Sequence, residues 1–243
     1  MTKNRFNYVL MVFILYSNVL VAKEYYNITD YGAVNDGKTI NTFSIQSAID
    51  KAAENGGGII FFPAGNFLTR TIVLKDNVTL YLSNGCKLLA TTDLNRFDSS
   101  FGSFVDSGGR KFGTALVFAK EANNISIIGD GIIDGQGYEI YYPHKKGFYR
   151  PYIIRFIRCN FVNIKDITLR NSAAWVQHYV ECDDLLIDGI VSGSIPVGSL
   201  EVLAKIDGSD TKKIIFRGNY LDENSKKYIT SPDVSANQVY ESR

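Results

Sequence analysis

The feature that most constrains this chain is a repeat. Cys159-Asn-Phe-Val-Asn-Ile-Lys-Asp-Ile167 returns 23 residues later as Cys182-Asp-Asp-Leu-Leu-Ile-Asp-Gly-Ile190. Looser copies are Asn77-Val-Thr-Leu80, Asn124-Ile-Ser-Ile127 and Lys213-Ile-Ile-Phe216, each a polar or turn position followed by alternating apolar residues. The alternation has period two, the signature of a half-buried strand. Self-similarity at 20 to 50 residues means stacked units, each unable to bury its own apolar face alone. With no helix inside the repeat, the unit is a coil of short strands. The chain is therefore expected to be all-β, a right-handed parallel β-helix with a core made by stacking. Intervals of 47 and 37 residues between Val78, Ile125 and Val162 fit coils enlarged by loops. In-register stacking predicts Ile164 over Ile187 and Cys159 over Cys182, about 4.8 Å apart. Hairpin signals are scarce, which argues against an antiparallel sandwich.

One segment departs from the two-residue period. In residues 41–55, Ile45, Ala48, Ile49, Ala52 and Ala53 fall on one helical face. Asn41 or Thr42 can cap the start, and Gly56-Gly57-Gly58 supplies the stop. This amphipathic helix is expected to cap the N-terminal end of the solenoid, which would otherwise expose strand edges and an apolar bore. Strand, turn and strand are predicted to follow at Ile59–Phe62, 63–65 and 67–69.

Residues 1–22 carry Lys3 and Arg5, an apolar run from Tyr8 to Tyr16 and a small residue at Ala22. The pattern is that of a secretory signal peptide cleaved after Ala22. Ser17-Asn18 interrupts the run short of the about 20 residues a span needs. A secreted or periplasmic product is expected, with 23–243 as one domain and no membrane association after cleavage. Lys plus Arg number 26 against 25 Asp plus Glu, a net charge of +1, so broad phosphate neutralisation of nucleic acid is not expected. Cys86, Cys159 and Cys182 have no zinc-like spacing and read as buried thiols. With His144 and His178 the only histidines, a metal site built on several histidines is excluded, and any chemistry rests on carboxylates.

Further motifs carry a resemblance. Tyr26-Asn-Ile-Thr-Asp-Tyr-Gly-Ala-Val-Asn-Asp-Gly37, Ser44-Ile-Gln-Ser-Ala-Ile49 and Phe62-Pro-Ala-Gly65 resemble the first segment of pectate-lyase-like β-helix proteins. Gly129-Asp-Gly-Ile-Ile-Asp-Gly-Gln-Gly137, Arg150-Pro151 and Asn171-Ser-Ala-Ala-Trp-Val-Gln-His178 are similar to family 28 glycoside hydrolases, the polygalacturonases and rhamnogalacturonases. The match runs over about 25–194. The resemblance implies a secreted, cofactor-free, monomeric enzyme that hydrolyses α-galacturonosyl linkages in pectin with inversion, using aspartates on successive coils.

The resemblance also implies an Asn-x-Asp, an Asp-Asp, a Gly-His-Gly and an Arg-x-Lys soon after Ile190. The chain instead continues through Ile195-Pro-Val-Gly-Ser199 to a segment at about 203–221 that resembles a last coil. The coils that carry the family's chemistry are expected to be absent, so no catalytic, cofactor-binding or metal-ligating residue is assigned. Asp183-Asp184 aligns with Asn160-Phe161 at a coil corner. His178 reads as a stacked or hydrogen-bonded structural histidine, and Asp130 and Asp134 as turn carboxylates. Tyr138, Tyr141, Tyr142, Phe148 and Tyr149 around Arg150 form an aromatic loop that suits a uronic acid polymer or a packed lid. The partner expected is a pectic polysaccharide. The competing function is a non-catalytic, carbohydrate-binding β-helix.

Overall fold

The computed structural model describes residues 24–93, 97, 104–105, 109, 111–138, 140–142, 150–193, 202–221 and 226–242. The expected leader, His144, Phe148, Tyr149 and the junction near Ile195 lie outside them. The strands form three parallel sheets wound as a right-handed β-helix. Sheet 1 has eight strands: Tyr25–Asn27, Gly58–Phe62, Val78–Leu82, Asn123–Ile128, Asn160–Lys165, Asp183–Asp188, Lys212–Arg217 and Val239–Ser242. Sheet 2 has six: Asp36–Ile40, Gly65–Thr69, Cys86–Ala90, Ile132–Asp134, Thr168–Arg170 and Val191–Gly193. Sheet 3 also has six: Ile72–Val73, Ala115–Lys120, Tyr152–Ile157, Gln177–Val180, Val202–Asp207 and Lys226–Thr230. One antiparallel pair, Phe104–Val105 with Lys111–Phe112, sits between sheets 2 and 3 of one coil.

The predicted register holds residue by residue. Ile125, Val162, Leu185 and Ile214 pair in one column of sheet 1, and Ile127, Ile164, Ile187 and Phe216 in the next inward column. Their side chains are fully or almost fully buried, each contributing about 1.5–3 kcal/mol of burial. The polar position that opens each repeat also has a physical reason. Asn77, Asn124, Phe161, Asp184 and Lys213 all adopt left-handed backbone, with φ of 62°, 55°, 55°, 52° and 48°. That conformation turns the chain from sheet 3 into sheet 1, and Asn and Asp tolerate it best. Asn124 donates to Asn77 Oδ1 at 2.9 Å, and Asn160 to Asn123 Oδ1 at 3.2 Å. A second left-handed column, Glu121, Arg158 and Glu181, alternates in charge. Arg158 bonds Glu121 and lies 3.6 Å from Glu181.

Helix α1, Thr42–Glu54, buries Ile45, Ala48, Ile49 and Ala52, with Ala53 partly buried. It occupies the place that a sheet 3 strand takes in later coils, and packs against the sheet 1 strands Gly58–Phe62 and Val78–Leu82 and the sheet 3 strand Ile72–Val73. It thereby covers the N-terminal end as expected. Gly57 ends it at φ 120°, where a Cβ would lie 2.6 Å from the Asn77 carbonyl. Asn41 is not a side-chain cap. Its buried amide accepts from Val34 N at 2.6 Å and donates to Val34 O and Thr39 O at 2.9 Å, closing the turn before the helix.

The segment at 203–221 is not the last coil. Lys226–Thr230 pairs with Val202–Asp207, and Val239–Ser242 with Lys212–Arg217. Between these added strands Val234 is buried, which brings apolar cover to the C-terminal end of the core.

Candidate functional site

Outward-facing side chains of sheet 3 form a cluster of polar and aromatic groups with shifted protonation equilibria. Stacking places Phe118, Arg155, His178, Lys205 and Ile229 in one column. Their inward neighbours Val117, Ile154, Ala204, Phe156, Tyr179 and Ile206 fill the core, so alternation turns the column outward. Asp207, two residues beyond Lys205, faces the same way. It lies 2.7 Å from His178 Nε2 and accepts from Lys205 Nζ at 2.7 Å, both through Oδ2. Lys205 Nζ also sits 4.7 Å from the Trp175 ring centroid. Tyr152 stacks on Trp175 at 5.7 Å and tilts against His178 at 5.2 Å. Arg155 is buried and donates from Nη1 to Gly113 O at 2.7 Å.

The electrostatics follow from this geometry. Burial by itself would raise the Asp207 carboxyl, but hydrogen bonds from His178 and Lys205, with their charges, outweigh it and hold the pKa at about 2. Asp207 is thus ionised at neutral pH. His178 is pushed below its ordinary value by burial, against the opposing pull of Asp207, and is neutral there. A neutral imidazole facing a carboxylate carries its proton on Nε2, so Nδ1 is a bare acceptor. Nδ1 and Asp207 Oδ1 are buried and have no hydrogen-bond partner among the described residues. Burial disfavours the charge on Arg155, yet a guanidinium stays protonated. Two cations and one anion leave the cluster with one net positive charge. A cation beside an aromatic ring suits recognition of a ring that carries a carboxylate.

The other sequence candidates lie elsewhere. Asp183 pairs in register with Asn160 at the corner of sheet 1, as the repeat predicts. Asp183 Oδ1 accepts from Asp184 N at 2.8 Å, and Asp184 lies 3.0 Å from Lys213 Nζ. Asp130 is exposed in a bend. Asp134 is buried, accepts from Gln136 N at 2.9 Å and pairs with Arg170 Nε at 2.8 Å, a turn carboxylate that also ties coils together. His178 is hydrogen-bonded and ring-packed as expected, though inside the cluster rather than apart from it.

The aromatic loop divides. Tyr138 and Tyr141 are exposed, with ring centroids 6.4 Å apart. Tyr142 is buried and donates its hydroxyl to Thr91 O at 2.8 Å, so it belongs to the packed underside. Arg155, Lys205 and Asp207 were missed as site residues because only coil stacking brings them to His178. The signal available was the 27-residue and 29-residue steps from His178 to Lys205 and Asp207, close to the coil period.

Comparisons with known proteins agree with this architecture. The family model described as "Rhamnogalacturonase A/epimerase, pectate lyase-like" matches residues 25–195. The "Probable polygalacturonase" of Vitis vinifera is 33% identical over 176 residues, covering 68% of this chain and 36% of that protein. A crystal structure from Parabacteroides merdae ATCC 43184, provisionally named a glycosyl hydrolase, superposes with a TM-score of 0.75 at 25% identity, over 89% of this chain and 95% of that one. The family 28 exopolygalacturonase of Yersinia enterocolitica superposes with a TM-score of 0.73 at 19% identity, over 86% and 45% respectively, a likeness of fold. The chain spans between 20% and 39% of the length of the first curated relatives it matches.

Proposed function

The chain belongs to the pectate-lyase-like rhamnogalacturonase A/epimerase family, and on that premise we propose that it binds a galacturonate-containing pectic polysaccharide on the outer face of sheet 3, with little or no hydrolysis there. The observation that carries this reading is the state of Asp207. Inverting hydrolysis needs one carboxyl that holds a proton for the leaving group and a second, roughly 6.5–9.5 Å away, that activates water. Asp207 is the one carboxylate that the described residues bring into contact with the cluster, and it is held ionised at about 2 by two hydrogen bonds. It orients His178 and Lys205 instead of donating a proton. Binding is supported by the net positive charge and the half-buried Trp175 ring beside Lys205. Relatives named as polygalacturonases support the choice of polymer.

The test has two arms on the full chain. Reducing ends released from polygalacturonate and rhamnogalacturonan are expected to match a heat-killed control. Migration through a native gel containing either polymer is expected to be retarded. Release well above the control would overturn the non-hydrolytic reading in favour of an active glycosidase, and free migration through every pectic fraction would overturn binding.

A further inference from the structure

Two of the three cysteines stack on each other. Cys159 and Cys182 occupy the same position in consecutive coils, immediately before the paired residues Asn160 and Asp183 of sheet 1. Both are buried, and all three thiols are free in the structure. The Cys182 sulfur leans toward the preceding coil, with Sγ 3.4 Å from the Cys159 backbone N and 3.6 Å from Phe156 O. Adjacent parallel strands hold Cα atoms about 4.8 Å apart, inside the roughly 4.4–6.8 Å range that a disulfide spans. The neighbours in this column are Ala122 and Thr211, which are also buried, so the column offers a thiol pair and no competing partner of its own.

We propose that Cys159 and Cys182 are a site of covalent modification, forming a disulfide between consecutive coils when the chain folds in the presence of a small-molecule disulfide. One cysteine thiolate attacks a sulfur of oxidised glutathione, forming a mixed disulfide and expelling one glutathione thiolate. The second cysteine thiolate attacks the protein sulfur of that mixed disulfide and expels the other. The two cysteine protons pass to the two departing thiolates, so two thiols are oxidised and one disulfide is reduced to two thiols. The exchange takes place while the chain folds, before stacking buries both thiols completely. Cys86 stands apart: burial pushes its thiol up to about 12, and it remains reduced.

The bond has a consequence for the outer face of sheet 3. Cys159 opens the coil that carries Trp175 and His178, and Cys182 opens the coil that carries Lys205 and Asp207. Linking them fixes the stacking of the two rungs from which the cluster is built, whatever that cluster binds.

The reduced, denatured full chain should be refolded in a glutathione redox buffer. The soluble fraction is then unfolded in iodoacetamide, digested with trypsin and weighed. The expected product is the peptide 159–165 joined to 171–205, with Cys86 alkylated. Melting of this species should lie on the order of 5–10 °C above the reduced chain, the shift that closing a loop of this length produces in a domain of this size. A Cys86→Ser variant should give the same link. Alkylated Cys159 and Cys182, or a link to Cys86, would overturn the proposal. A link with no rise in Tm would overturn the claim that it locks the coils.

Discussion

Replacing Asp207 with Asn tests the electrostatic account of the sheet 3 cluster directly. In the folded chain the carboxyl titrates at about 2, against 3.8 for the free side chain. A fall of about 1.8 pKa units is worth roughly 2 kcal/mol of stability at pH 7. The side chain is 20% exposed, so solvent screening does not erase that figure. Because the folded pKa is the lower one, the contribution is fully present above pH 4 and is lost as pH falls toward 2. By pH 3 the linkage relation leaves about 1 kcal/mol. His178 acts in the same direction at higher pH. Burial holds its folded pKa below 6.5, so the unfolded chain takes up the proton first and stability declines as pH drops below 6.5.

Urea unfolding of wild type and Asp207→Asn at pH 7, 5, 4 and 3 reports the carboxylate, together with its effect on His178, in the difference between the two curves. That difference should be about 2 kcal/mol at pH 7 and about half of it at pH 3. The His178 contribution also changes in the variant, because the carboxylate that opposed the effect of burial is gone. Its protonation should then move further below the ordinary value, visible in the ring proton shifts by NMR. A difference between the two proteins that is constant from pH 7 to pH 3 would refute the claim that the Asp207 charge is held by His178 and Lys205.

Three further outcomes are expected. Phe161 places a bulky, 63% exposed side chain at φ 55°, so Phe161→Asn should stabilise by about 1 kcal/mol and raise Tm by about 2–4 °C in a thermal melt. Ile187→Ala opens a fully buried site between Ile164 and Phe216 and should cost about 2–5 kcal/mol in urea unfolding. Trp175→Ala should weaken retardation in polygalacturonate gels several-fold, measured beside a far-UV circular dichroism spectrum that stays unchanged.

The parts of the fold legible in the sequence are those in which one residue's requirement recurs every coil. Inward Val162, Leu185 and Ile214 must be apolar in every turn of the solenoid, so the register could be read before any coordinates. The position before them must turn left-handed, so Asn77, Asn124 and Asp184 punctuate the repeat. The helix was legible because its period differs from everything around it. The end of the chain was not, since Lys226–Thr230 and Val239–Ser242 pair without the apolar alternation of the earlier strands. Which member of the aromatic loop packs inward was not legible, because nothing local separates Tyr142 from Tyr141. Its burial depends on a hydroxyl bond to Thr91, 51 residues away. The cluster itself combines residues from three coils, and an ion pair across coils leaves no pattern within either one.

The central claim is that the outer face of sheet 3 at Trp175, His178 and Lys205 is where an acidic saccharide sits. A crystal structure of the protein soaked with a short galacturonate oligomer tests it most directly. A sugar ring is expected against Trp175 with its carboxylate toward Lys205. Sugar bound on another face of the solenoid, with this cluster unchanged and bare at saturating oligomer, would contradict it.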